Sequence, residues 1–87
     1  MALNLFTTGD TIDEESGEFT VVAGTPAGLC LKGASNDARV VVLKKDDADA
    51  FQPTSMQLTN ASPDGMLVSP GTYKLRREGG TCGVFRD

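Results

Sequence analysis

VSPGTYKLRREGG occupies residues 68–80. A Pro-Gly pair stands directly ahead of the chain's only tyrosine, an alternating run follows, and two glycines stop it. Ser69-Pro70-Gly71-Thr72 suits a type II turn, with proline fixing φ at the second position and glycine supplying positive φ at the third. Such a turn lets the chain leave one sheet and enter another. Tyr73 follows at once, and in many β-sandwiches a tyrosine near the start of a late strand folds its hydroxyl back onto the backbone of the preceding corner. Pro70, Gly71 and Tyr73 are therefore the expected structural corner. Beyond it Tyr73, Leu75 and Arg77 share one face of a strand, while Lys74 and Arg76 share the other. The charge of Arg77 breaks the apolar row, so the strand is expected to leave the core there. Glu78-Gly79-Gly80 is then expected to turn the chain tightly into TCGVFR, residues 81–86, as a β-hairpin.

The same period-two alternation, bounded by Gly, Pro, Asn and Asp, recurs along the chain and marks half-buried strands. The segments are LNLFTT (3–8), EFTVVA (18–23), GLCLKG (28–33), ARVVVLKK (38–45), AFQP (50–53), SMQLT (55–59), GMLVS (65–69), TYKLRR (72–77) and TCGVFR (81–86). GTPAG (24–28), GASND (33–37) and NASPDG (60–65) read as turns, the second through local side-chain to backbone hydrogen bonds. About eight short strands and no substantial helix predict an all-β fold, a small antiparallel β-sandwich of jelly-roll or Ig-like topology. Eighty-seven residues make a single domain, 1–87, with a thin core that buries roughly 60–65% of the unfolded surface. Residues 1–9 are either a first strand or an amino-terminal arm, and 10–18, DTIDEESGE, form an acidic loop polar enough to be mobile.

Composition narrows the function. Residues 1–29 carry five acids and no base, and residues 30–87 carry eight bases against seven acids, so the net charge of −4 belongs to one segment. An acidic chain with dispersed bases lacks the clustered Lys and Arg of nucleic-acid binding. No apolar run approaches the ~18 residues of a membrane span, and the first ten residues lack the basic lead and apolar stretch of a signal peptide, so cytoplasmic synthesis and no membrane are expected. Cys30 and Cys82 are then expected as small buried hydrophobes carrying thiols, with a disulfide after release as the alternative. Asn60-Ala61-Ser62 fits a glycosylation sequon by chance.

Histidine is absent, which removes Cys-His and Ser-His-Asp catalysis. No local sequence flags Ser-Lys or paired-carboxylate chemistry, so the reading is no enzyme, no catalytic residue and no cofactor. Two distant cysteines without histidine make no zinc site, and KKDDADA (44–50) lacks the spacing, turn glycine and final glutamate of an EF-hand loop. It reads as a charged turn guarding the aggregation-prone RVVVL strand. Two features could serve binding: the apolar Leu3, Leu5 and Phe6 at a chain end that usually frays, and the acidic DEESGE run that could meet a basic surface.

EFTVVAGTPAGLCLKGA, then a charged strand, then LVSPGTYKLRREGGTCGVFRD resembles the small β-sandwich decoration, or cement, proteins of tailed-bacteriophage heads. The likeness covers residues 18–87. It implies a structural role in the virion, on the head surface: an oligomer, often a trimer, that binds the major capsid protein or another virion protein and stiffens the shell without performing a reaction. Decoration proteins share no contact motif, so Leu3, Leu5 and Phe6 as partner-binding residues rest on the exposed-end argument alone. A tail or fibre part is the nearest alternative, and a free Ig-like protein-binding or adhesion module is the rival from another class. The single tyrosine and absent tryptophan argue against a sugar site.

Overall fold

The computed structural model describes residues 3–86, Leu3 through its backbone only. Eight strands form: β1 (Leu3–Gly9), β2 (Phe19–Val21), β3 (Ala27–Lys32), β4 (Arg39–Lys45), β5 (Phe51–Thr59), β6 (Asp64–Leu67), β7 (Gly71–Gly79) and β8 (Cys82–Arg86). They make two four-stranded antiparallel sheets, sheet A in the order β1-β8-β3-β6 and sheet B in the order β2-β7-β4-β5. The chain is all-β and no helix occurs among the described residues.

The pairing has one simple logic. β1 pairs with β8, β2 with β7, β3 with β6 and β4 with β5, so the chain is one long hairpin whose arms run beside each other throughout. Rolling that double ribbon brings β8 against β3 and β7 against β4, which completes both sheets. This is the nested topology of a jelly roll, so of the two topologies the sequence left open the Ig-like one is set aside. Only β4 and β5, consecutive in sequence, are also neighbours in one sheet. Their loop is built by Asp46, whose carboxylate accepts from the Ala48 and Ala50 amides at 2.8 and 3.0 Å and from the Gln52 amide at 3.0 Å. These bonds, the Ala50 amide foremost, hold the Asp46 pKa below its ordinary value.

Alternation explains the core. On β3, Ala27, Leu29 and Leu31 are buried and Gly28, Cys30 and Lys32 are half-buried, and β7 repeats the pattern with Tyr73, Leu75 and Arg77 inside. Inward residues of the two sheets meet in a single apolar cluster that includes Phe6, Leu29, Val40, Val42, Leu58 and Leu75. β4 departs from strict alternation because it is central: Val40 and Val42 face the core, and Val41 and Leu43, on the outer face, are buried as well. Their cross-strand partners on β7 are Arg76 and Lys74, side chains with long aliphatic stems.

Several expectations are corrected. AFQP and SMQLT are one strand, β5, because Pro53 sits on a sheet edge where a missing N–H costs no ladder bond. The Ser69–Thr72 turn is not type II: Gly71 has φ 156°, far from the roughly +80° of that turn, and enters β7 extended opposite Val21. The carboxyl-terminal third is not a hairpin, since β7 lies in sheet B and β8 in sheet A. Gly80 makes the crossing with φ 68°, and it is packed so closely that a Cβ there would stand 2.6 Å from the Ala38 amide nitrogen. Arg77 does not mark an exit from the core: it is wholly buried, and β7 runs two residues further.

Candidate binding face

Each inward polar side chain of β7 closes one end of the sandwich. At the lower end the Tyr73 hydroxyl donates to the Ser69 carbonyl at 2.7 Å, four residues upstream, while its ring stacks on Phe19 at 6.0 Å between centroids. At the upper end the Arg77 guanidinium lies 4.2 Å from the Phe6 ring centroid. Its Nε and one Nη donate to the Cys82 carbonyl at 3.2 and 2.9 Å, and that Nη also reaches the Thr7 carbonyl at 2.9 Å. The other Nη donates to the Thr11 carbonyl at 3.2 Å and to the Glu14 carboxylate. The five donors of a guanidinium are thereby used, which is what allows a fully buried cation. The acidic segment is fastened by the same residue: the Asp13 amide donates to the Arg77 carbonyl at 2.7 Å, and the Arg77 amide to the Glu14 carbonyl at 2.9 Å. Ser16 extends the pairing, its amide on the Leu75 carbonyl and its hydroxyl accepting from the Leu75 amide at 2.9 Å. Residues 13–16 are thus an edge segment of sheet B and not a mobile loop.

The outer faces differ sharply. Sheet B presents charge: Lys74 pairs with Glu15 at 3.1 Å, Arg76 with Glu78 at 2.7 Å and Lys45 with Glu18 at 3.8 Å. Lys74 Nζ also stands 4.5 Å from the Phe51 ring centroid. The Glu78 bond raises the already high pKa of Arg76. Sheet A presents one row, Asp64, Cys30, Phe85 and Asn4, across its four strands. Beside that row Met66 is 55% exposed, and Gly28, Cys30, Asp64, Gly65, Met66 and Phe85 line a shallow hollow of about 450 Å³. An apolar, lightly charged concave face of this kind has the character of a binding surface.

The edges are closed to strand addition. β1 carries two bulges, β2 has three residues and β6 has four. β5 is longer, but two residue steps of β4 from Val41 to Leu43 face four of β5 from Gln57 to Pro53. In that bulge the Thr54 hydroxyl donates to the Val42 carbonyl at 2.8 Å. Bulges, short strands and proline are the usual means of keeping edges from pairing with foreign strands.

The residues singled out in the sequence are distributed as follows. Phe6 is 4% exposed, beneath Arg77, so it belongs to the core and not to an exposed arm. Leu5 is half-buried against the same core, because the bulge between Asn4 and Phe6 turns adjacent residues toward it. The Leu3 side chain lies outside the described residues. Residues 3–9 form the first strand, and Phe6 is withdrawn as a partner-binding residue. Pro70, Gly71 and Tyr73 sit together at the lower corner. Cys82 is buried on the inner face and Cys30 half-exposed on the outer face of sheet A; both are free thiols, and the expectation that both are buried holds for Cys82 alone. Among the described residues no three His, Cys, Asp or Glu side chains gather into a metal site. Sequence reasoning missed the Cys30-Met66-Phe85 face, although the outward phase of Cys30 between Leu29 and Leu31 was there to see. No protein-family model matches this chain, and no similar curated protein or solved structure was found.

Proposed function

We propose that this chain is a non-enzymatic structural protein of a phage particle, a head decoration protein that seats the outer face of sheet A on the major capsid protein shell. The class comes from the likeness of residues 18–87 to small decoration proteins. The docking face rests on one observation: the outer face of sheet A is bare and apolar around Cys30, Met66 and Phe85, while that of sheet B is covered by paired charges. Jelly rolls serve in viral capsids, lectins and cupins, so the fold is compatible with this reading and does not select it. Binding the assembled shell and not the dispersed subunits would stabilise the shell by mass action over many sites. A specific contact needs about 800 Å² from each partner.

The test is the copy number in purified particles from the source, measured by mass spectrometry against the most abundant shell protein. A ratio near one, or a simple fraction of it, is expected, and Met66→Asp should lower that ratio while leaving the thermal melt unchanged. A handful of copies would move the protein to a tail or fibre. Absence from particles would overturn the reading and leave a free protein-binding module.

A further inference from the structure

Two surface features lie at the edges of the sandwich, and they complement each other. The first is a turn. Ile12 is 62% exposed, and the backbone on both sides of it is tied to the buried Arg77: the guanidinium holds the Thr11 carbonyl, and the Arg77 peptide holds the Asp13 amide and the Glu14 carbonyl. Asp13 takes φ 65°, a left-handed conformation that aspartate tolerates, to close the turn. An apolar side chain on a backbone this well fastened has little conformational freedom left to lose on binding. Asp10 and Asp13 flank it, and neither has an ion-pair partner among the described residues.

The second is a cleft of about 260 Å³ lined by Lys44, Thr54, Met56, Met66, Val68 and Tyr73. It opens where β5 and β6, the edge strands of the two sheets, stack on each other. Lys44 follows Val40 and Val42 in the inward phase of β4, so its stem runs between the sheets and its amine stands 5.6 Å from the Tyr73 ring centroid. Lys45, Lys74, Arg76 and Arg77 each have a carboxylate partner, whereas Lys44 has none among the described residues. Met66 and Val68, 55% and 64% exposed, give the rim an apolar character. The cleft therefore asks for an apolar group with an acid beside it, which is what the Ile12 turn carries.

We propose that copies of this chain associate head to tail, with the Ile12 turn of one seated in the Lys44 cleft of the next. The turn flanks the β1 and β2 edges at the Arg77 end, and the cleft lies between the opposite edges at the Tyr73 end, so the two cannot meet within one copy. Contacts of this heterologous kind close into a ring when the rotation between copies permits and otherwise extend. Met66 alone lines both the cleft and the sheet A hollow, whereas Ile12 and Lys44 lie outside that face and are read in the purified protein without a shell, so the association stands or falls separately from shell binding.

Sedimentation velocity on the purified protein tests it. The wild type should form concentration-dependent oligomers, and Ile12→Ser and Lys44→Glu should each weaken self-association about tenfold or more. Mixed in equal amounts at high concentration, the two variants should form a one-to-one dimer, because each contributes the half the other lacks. Thermal melts check the fold, and Ile12→Ser, at an exposed position, carries the test alone should Lys44→Glu alter the melt. A wild type that stays monomeric up to its solubility limit, an Ile12→Ser variant that associates as the wild type does, or a mixture of folded variants that remains monomeric would each overturn the proposal.

Discussion

The two ends of β7 solve the same problem at different scales. At the lower end a buried tyrosine finds one acceptor four residues away, and at the upper end a buried arginine finds four acceptor groups drawn from β1, the acidic segment and β8. The lower end is a local bond that tidies a corner. The upper end is a junction on which three chain segments converge, and it exists only once both sheets have closed. A buried polar group therefore matters by the sequence distance of its partners as much as by their number, and that difference orders the expected effects of mutation.

Arg77→Met should be the most damaging change, costing about 3–5 kcal/mol in urea unfolding, because it removes at once the donors that the Cys82, Thr7 and Thr11 carbonyls share. A loss near that of a corner mutation would break the contrast between the ends. Gly80→Ala, also at the upper end, should cost about 2–3 kcal/mol, since it combines positive φ with a Cβ 2.6 Å from both the Ala38 amide nitrogen and Ser35 Oγ. Tyr73→Phe keeps the ring stack and loses one hydrogen bond, so about 1–2 kcal/mol is expected from the same denaturation curves. Glu14→Gln sharpens the picture from the other side. Its carboxylate is half-exposed, and the carbonyls around Arg77 remain in place, so the loss should stay below about 1 kcal/mol.

The smallest effect expected is on acid stability, at sites away from either buried group. The Ser35 hydroxyl lowers the Asp37 pKa, and the amides of the β4–β5 loop lower that of Asp46, both from an ordinary 3.8. A carboxyl whose folded pKa lies below its unfolded one stabilises the fold above the unfolded value and stops doing so as pH falls through the folded value. Melting temperature should therefore drop below about pH 4, and Asp46→Asn should flatten part of that drop.

Local patterns gave the reader of the sequence most of the strands and the Tyr73 corner, because alternation, turn residues and a hydroxyl four residues from its acceptor all act over short distances. Arg77 was misread for the opposite reason. Its partners lie five residues ahead at Cys82 and more than sixty behind at Glu14, and nothing near residue 77 announces them. The surplus of acids in residues 10–18 was the one available hint that a base elsewhere needed a partner. The supposed terminal hairpin failed similarly, since two glycines between strands suit a sheet-to-sheet crossing as well as a hairpin. What decides between them is the partner each strand finds, and those partners, β4 and β3, are distant in sequence. On the outer face of sheet A the phase of Cys30 and Phe85 was legible. Whether loops or charges covered that face was a property of the assembled sandwich and was not.

The nested pairing also sets a timetable for biosynthesis. β1 leaves the ribosome before the other seven strands, yet its partner in the ladder, β8, with Arg86 opposite Leu3, leaves after all of them. Only the innermost hairpin, β4 with β5, can form soon after it emerges, and every later pairing closes a wider loop around it. Folds dominated by such distant contacts reach the native state slowly and hold unpaired strands open meanwhile. The shortness of β2 and β6 and the proline of β5 are present in the chain before any ladder forms, so they limit what a half-made copy can offer to a neighbouring one.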